Sequence, residues 1–564
     1  MAPNHCLAVD SVAPPESISW DRASAAPGGI VGVWSAGFIT NRRELRAQVG
    51  ADDRVSDLDL AKALYSRWGK DAPRHIHGSF AWIVWDGGRQ CLLAIRDRAG
   101  IHEILYRQDG DTIHLAGGIE PLLVSRSRAG IDPLSVLAHI HGRAPATGHT
   151  FYQGIGAVAP GNILTVTRDR IESDRYWRPE ALPVLRLADD DSYGRAFNDL
   201  FLPIAAEYAP AGEAGVTLSG GLDSTTVAAA IRESSLRTDL TAFSWTAPEL
   251  PEADESEAIA AVCRRLRCRL VSIAADRHWP LRSEPGIRTE PATPFFNYYT
   301  DLWEATFRSV RQHGVRVLFS GLSGDHLFGA NAFSYPDLLL TGRWRRLVRE
   351  IRDHRRHSEM SVAEIVRWLA LAPIANAYVP GRDRDRTRPV SWLGPRLRQE
   401  VDETPVSRRL LPGRRQRLRL LRDPRLAAIA SLVTRQAARH GIDFRHPLLD
   451  HRLFEFAAAL PTTQTFAAGQ RKIVLRNAMR GRLPETVRKR RDRTYMTAIA
   501  RRGLGERERT KAWALMTDMR AAQMGYVDER RLRAAYAAYL AGGDENALFW
   551  NTLTLEAWLR QHFS

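Results

Sequence analysis

The chain has 564 residues, of which 44% are hydrophobic and 26% charged, the balance of a water-soluble globular protein with roughly two to four domains. Its net charge of +16 favours anionic partners such as nucleotides or acidic peptides. Nucleic acid is not expected: the basic residues are nearly all arginine, lysine occurs only at Lys62, Lys70, Lys472, Lys489 and Lys511, and no nucleic-acid module accompanies them. The four cysteines, Cys6, Cys91, Cys263 and Cys268, show no CxxC pair or metal spacing, which fits a reducing compartment. No basic-plus-apolar leader opens the sequence and no apolar run is long enough to span a bilayer, so a cytoplasmic protein with no membrane partner is expected.

Residues 1 to about 180 read as one domain rich in short strands. Candidates are Ile30–Val33, Phe38–Thr40, Ser79–Trp85, Cys91–Arg96 and Thr112–Ala116, separated by Gly, Asp and Asn turns. One helix is well signalled, with Ser56 as N-cap, Leu60, Leu64 and Trp68 along one face and Gly69 at its end.

A second domain begins near Asp189 with a helix over about 191–208. The stretch that follows, GVTLSGGLDSTTVAAAIR from Gly215 to Arg232, organises the chain. Val216, Thr217 and Leu218 read as the end of a buried strand, SGGLDS as a tight turn, and Thr225 onward as a helix. Such a turn aims backbone N–H groups and a helix N-terminus at one point, and Gly220 and Gly221 let an anion approach closely. It carries neither the Gly-Lys-Ser/Thr of a Walker loop nor GxGxxG. An acidic residue inside a phosphate nest needs a cation between the two, so Asp223 reads as a Mg²⁺ ligand.

Leu240–Trp245 gives the next strand, and ADESEA (Ala253 to Ala258) opens a helix in which Asp254 and Glu255 complement the dipole or take part in chemistry. From Gly314 to Gly329 an apolar strand again feeds a glycine loop with one carboxylate, Asp325. In a parallel α/β sheet the C-terminal strand ends converge on a ligand crevice, so Asp223 and Asp325 are expected to share one Mg²⁺. An Arg-rich insert of about 331–425 follows, read either as solvated helices and loops or as a recognition surface for a long, partly acidic peptide through Arg414, Arg415 and Arg417.

SGGLDS resembles the pyrophosphate loop of ATP pyrophosphatases, which split ATP into AMP and pyrophosphate. The phrases GFITNRRELRAQVG, HGSFAWIVWD, RDRAGIHEILY and TFYQGIGAVAPGNILTV with RYW resemble the N-terminal glutaminase domain of asparagine synthetases, which makes the likeness long. That resemblance implies mixed α/β and α+β architecture: an N-terminal-nucleophile-hydrolase-like β-rich sandwich over 1–185, and an ATP-pyrophosphatase domain with a parallel sheet and helical additions over 186–564. It also implies ATP and Mg²⁺, a nucleotide held by Leu218, Ser219, Gly220, Gly221, Asp223, Ser224, Ser244, Ser320 and Gly321, and metal on Asp223 and Asp325.

Departures from the family pattern are informative. The nucleophilic Cys should follow the initiator Met, but the chain opens Met1-Ala2-Pro3-Asn4-His5-Cys6, so a catalytically dead glutaminase domain is expected. Leu322 stands where the family carries an acidic or tyrosyl residue and His326 where Glu is common, which leaves His326 or Asp443 as guesses for the base. GIDFRHPLLD (Gly441 to Asp450) resembles the R-x-P-F-L-D motif, with Arg445 and Asp450 supporting the site from behind. QRKIVLRNAMRGRLPETVRKRRDRTY (Gln470 to Tyr495) resembles the segment that supplies a phosphate-binding lysine. Arg493 falls at that position, and Lys489 and Lys472 are the nearby lysines.

Together these point to an AMP-forming amide ligase. Within the family they resemble most the lasso-peptide macrolactam synthetases, which join a peptide N-terminal amine to an Asp or Glu side chain; that implies a precursor peptide as substrate, with a leader peptidase and a leader-binding protein as partners. A β-lactam synthetase, an ammonia-dependent asparagine synthetase and a non-catalytic scaffold are the alternatives.

Overall fold

The computed structural model describes residues 18–21, 30–52, 54–123, 130–234, 238–283, 287–329, 334–379, 390–397, 410–491, 494, 496–542 and 548–563. Cys6 and Arg493 lie outside the described residues. Among the described residues, nine strands form the N-terminal part: β1 (Ile18–Asp21), β2 (Ile30–Ile39), β3 (Gly78–Asp86), β4 (Cys91–Arg96), β5 (Leu105–Asp109), β6 (Thr112–Ala116), β7 (Ile155–Ala157), β8 (Asn162–Val166) and β9 (Ile171–Arg175). They pair antiparallel into two sheets, ordered β1-β6-β5-β7 and β2-β3-β4-β8-β9.

β3 shows why this layer forms. Phe80 to Asp86 are all buried, because the strand is covered on both faces. Ala81, Ile83 and Trp85 meet Ile113, Leu115 and Leu164 between the sheets, while Phe80, Trp82 and Val84 turn to the helix Asp57–Trp68. Burying such side chains contributes about 1.5–3 kcal/mol each. Ser56 caps the helix as the sequence indicates, accepting from the Asp59 amide at 3.1 Å. The two short strands expected over 30–40 are one strand, with a register shift between Gly32 and Trp34.

The C-terminal part is built on five parallel strands: β10 (Gly212–Thr217), β11 (Thr238–Thr246), β12 (Arg269–Ala274), β13 (Val317–Phe319) and β14 (Asp443–Arg445). Their order is β12-β11-β10-β13-β14. The chain leaves β10 towards one edge, then returns to place β13 on its other side, so the switch point lies between β10 and β13. Gly215 permits that pairing, since a Cβ there would come within 2.9 Å of Leu318. Helices Asp190–Tyr208 and Leu222–Ser234 cover the sheet through Phe197, Phe201, Val227 and Ile231.

The two parts are joined by specific contacts. Arg445 lies 4.2 Å from the centre of the Phe38 ring, Arg435 pairs with Glu103 at 2.9 Å, and His139 bonds the Asn551 carbonyl at 2.9 Å.

Described parts of the Arg-rich insert form helices Ser334–Leu340, Trp344–Arg355, Ala372–Tyr378 and Pro412–Leu421. Tyr335, Leu338, Leu347 and Ile351 give it a core with Phe466. Arg415 and Arg417 are buried, which corrects their reading as peptide-binding residues. Arg415 donates to the carbonyls of Ala377 and Leu410 at 2.9 and 3.2 Å, and Arg417 to those of Leu327 at 2.7 Å and Ala457 at 2.5 Å. Arg414 donates to the Leu182 carbonyl at 2.5 Å. These guanidinium groups tie helix ends and loops together and are not presented to a ligand.

Candidate active site

The loops after β10 and β13 lie side by side because their strands are neighbours. Leu218 continues β10, its amide donating to the Phe243 carbonyl at 2.9 Å. The turn then closes on itself: the Ser219 amide donates to Ser224 Oγ at 3.0 Å, and the Gly221 amide to Ser219 Oγ at 3.2 Å. Asp223 thereby sits in the first turn of the helix Leu222–Ser234.

The second loop is pressed against this turn. A Cβ on Gly321 would fall 2.4 Å from the Ser224 amide nitrogen, and one on Gly324 would fall 2.2 Å from Asp223 Cγ. Only glycine allows the approach that sets Asp325 beside Asp223. Ser320 ends the strand, its amide bonded to the Arg445 carbonyl at 3.1 Å and its Oγ 2.6 Å from His446 Nδ1. His446 is fully buried, reaches Thr434 Oγ1 with its other nitrogen at 3.1 Å, and is pushed down to about 3 by burial and then by the neighbouring His102. It therefore acts as a neutral strut under the loop.

Lys472 joins the two carboxylates. Its Nζ lies 2.8 and 2.7 Å from the two Asp223 oxygens and 2.8 Å from Asp325 Oδ1. The residue is buried and holds a left-handed backbone, φ +58°, at the start of the helix Ile473–Ala478. Two carboxylates within contact of one ammonium are close enough to share a divalent cation, so the residues present fit Mg²⁺ held by one or two carboxylates and substrate phosphates.

A second ion pair meets the loop from the other side. The Gly220 amide donates to Glu255 Oε2 at 2.9 Å, and the other oxygen of that carboxylate pairs with Arg490 at 2.8 Å. The carboxylate thus already satisfies part of the anion cradle. Arg476 holds the 488–490 segment in place by donating to the Arg488 and Arg490 carbonyls, the latter at 2.8 Å.

Other residues singled out by sequence fall differently. Ser244 is buried near the C-terminal end of β11, its hydroxyl without a hydrogen-bond partner among the described residues. Leu322 packs into the apolar core. His326 is half-buried, lowered by burial and set near Asp423 and Arg425. Asp443 begins β14 at the end of the sheet opposite the two loops and pairs with Arg445 at 2.7 Å, so it is not at the site. Lys489 is exposed and pairs with Glu485 at 3.1 Å, leaving Lys472 as the lysine at the carboxylates. Arg445 and Asp450 brace elements outside the loops: Arg445 donates to the Tyr208 carbonyl at 2.5 Å, and Asp450 caps a helix and pairs with Arg452 at 2.9 Å. In the sequence Glu255 stands out as a helix-dipole or catalytic candidate, whereas Arg490 lies unmarked in the basic segment and His446 in a motif of which only Arg445 and Asp450 stand out.

Residues 210–560 match the family model for asparagine synthase, which is more than half of the chain. The chain belongs to the asparagine synthase family. This asparagine synthase-family protein also matches a second model, a glutamine amidotransferase domain, over residues 28–177. It is 31% identical over 195 residues to asparagine synthetase [glutamine-hydrolyzing] 3 of Bacillus subtilis, covering 33% of this chain and 31% of that one. Amidase chyE of Penicillium rubens is 25% identical over 305 residues, 50% of this chain and 44% of the relative. Asparagine synthetase [glutamine-hydrolyzing] 1 of Bacillus subtilis is 21% identical over 466 residues, 80% and 72% of the two chains. The family member thus spans less than half the length of the first two relatives. Among the described residues no helix is long and apolar enough to cross a membrane.

Proposed function

We propose that the protein is an ATP-dependent, AMP-forming amide ligase of the asparagine synthetase type. The observation that carries this reading is the convergence of Asp223 and Asp325, from loops 102 residues apart, on the ammonium of Lys472. A carboxylate oxygen of the substrate attacks the α-phosphorus of ATP, the bond to the bridging oxygen breaks, and pyrophosphate leaves with its electron pair. An amine nitrogen then attacks the acyl carbon, AMP departs, and the surplus proton on nitrogen passes to a base.

Lys472, and the Gly220 N–H once Glu255 yields it, would face the phosphates and neutralise charge on the leaving group without changing its position. Asp223 and Asp325 would hold Mg²⁺, which when bound would add to the neutralisation of the pyrophosphate. Arg490, freed from Glu255, is placed to donate to a pair of phosphate oxygens. Of the two candidate bases, His326 directly follows Asp325 in the chain, whereas Asp443 begins a strand at the opposite end of the sheet.

For the substrate we favour a peptide whose Asp or Glu side chain is joined to its own N-terminal amine, giving a lasso-type macrolactam. Leu322 stands where the family carries an acidic or tyrosyl group, and a tethered amine needs no ammonia supply. A leader peptidase and a leader-binding protein are the partners that this substrate would require. The test is pyrophosphate release with mass spectrometry on three substrates: the precursor peptide, a β-amino acid, and aspartate with ammonium. Loss of one water from the peptide, dependent on Asp223, supports the proposal. Turnover of only one of the other two substrates assigns a β-lactam or asparagine synthetase, and no pyrophosphate from any of them assigns a scaffold.

A further inference from the structure

Away from the nucleotide loops, a cleft of about 340 Å³ opens where the two domains meet. Its lining includes Arg74, Arg98, Arg175 and Arg178, the ring of Trp177, and Glu455 as the one acidic group among the lining residues. Four guanidinium groups around one small space repel one another unless an anion lies between them.

The fixed parts of the cleft account for only some of this charge. Arg98 is buried and donates to the carbonyls of Ile76 and Arg74, both at 2.9 Å, so it is held rigidly by neutral groups. Arg175 forms a two-pronged pair with Glu180 at 2.8 and 3.0 Å, but Glu180 is shared with Arg422. Burial and then the Arg422 charge hold the Arg175 guanidinium below its ordinary range. Glu455 accepts the Trp177 indole N–H at 3.0 Å, which fixes the ring.

The exposed arginines are left to bind. Arg74 spends its Nε on Asp71 at 2.9 Å, leaving its terminal nitrogens, and Arg178 is exposed with no side-chain hydrogen bond or ion pair among the described residues. Two guanidinium forks match a phosphate dianion, which offers each a pair of oxygens, better than a single carboxylate. The volume is that of a small-molecule site.

We propose that this cleft binds a small organic phosphate bearing a flat ring, with the dianion between Arg74 and Arg178 above the buried charge of Arg98 and the ring against Trp177. Because it spans β9, the linker after it and the helix that carries Glu455, such a ligand would clamp the two domains together. The inference stands apart from the proposed ligase reaction, since no lining residue belongs to the nucleotide site.

Calorimetric titration of the full-length protein with phenyl phosphate tests it, with benzoate and inorganic phosphate as comparison probes. Phenyl phosphate should bind about tenfold more tightly than either. Arg178→Gln and Arg74→Gln should each weaken it by about tenfold with the melting temperature unchanged, and Lys472→Met should leave it unaltered. No binding, equal binding of benzoate, or binding insensitive to Arg178→Gln would each overturn the proposal. Loss on Lys472→Met alone would instead assign the anion to the nucleotide loops and overturn it equally.

Discussion

Glu255 accepts the backbone N–H of Gly220 at 2.9 Å, so a carboxylate stands in the loop where a phosphate oxygen would be bound. Arg490 holds the other oxygen of the same group at 2.8 Å. Nucleotide binding must exchange one anion for another at that amide, and Arg490 can follow the incoming phosphate.

Glu255→Gln should therefore lower the KM for ATP, by about threefold to tenfold, because a neutral amide competes less well for the Gly220 N–H. Arg490→Ala should raise it by at least as much. Pyrophosphate-release kinetics on the two variants separate these effects, and a raised KM in Glu255→Gln would mean that the carboxylate serves the nucleotide instead of yielding to it.

Lys472 makes a second prediction about charge. Replacing it by Met leaves Asp223 and Asp325 facing each other without their shared ammonium. Such a pair attracts any divalent cation, so the melting temperature of Lys472→Met should rise with added Mg²⁺ more than that of the unsubstituted protein. Turnover should fall by about a hundredfold, since the ammonium no longer faces the leaving group. A variant with full turnover would remove Lys472 from the reaction.

Arg417 has a structural role that its sequence context conceals. It is fully buried, donates to the Leu327 and Ala457 carbonyls, and is pushed down to about 9 by burial and then by Arg414. Arg417→Met removes the guanidinium donor from the Leu327 and Ala457 carbonyls, the latter keeping the Leu460 amide at 3.3 Å, and should cost about 1–3 kcal/mol in chemical denaturation. Arg417→Glu should fail to fold, and would thus say nothing about peptide recognition.

How much could be read in advance follows from how local each signal is. The strand, turn and helix around SGGLDS are encoded within eighteen consecutive residues, and β3, β4, β6 and the helix after Ser56 are likewise set by short-range pattern and capping. The pairing of Asp223 with Asp325 was legible because parallel strands send their C-terminal loops to one crevice. The placement of Lys472 over Lys489 was not, since both lie in one basic segment and only the backbone turn at Lys472 decides which reaches the carboxylates. Asp443 was misplaced because a strand of three residues gives no sign of which end faces the loops. Arg415 and Arg417 were misread because a run of arginines looks the same whether it faces solvent or backbone carbonyls.

His139 gives the pH dependence of the domain contact. It lies on the helix Pro133–Ile140, and its Nε2 meets the Asn551 carbonyl at 2.9 Å and Thr554 Oγ1 at 3.0 Å on the C-terminal helix Phe549–His562. Burial pushes it down to about 4, although the Asn551 carbonyl acts in the opposite direction. A histidine lowered in the folded state favours folding above its ordinary value near 6.5, and that contribution disappears as the pH falls through about 4. The shift corresponds to about 3 kcal/mol at neutral pH. Thermal melts from pH 7.5 to 4 should show the unsubstituted protein losing stability across this window. His139→Gln, which keeps an N–H for the Asn551 carbonyl but cannot take up a proton, should lose less. His446 and His451 are buried and lowered in the same direction, so the slope should be reduced by the substitution and not abolished. Parallel melting curves for the two proteins would show that His139 is charged at the interface or already exposed to water.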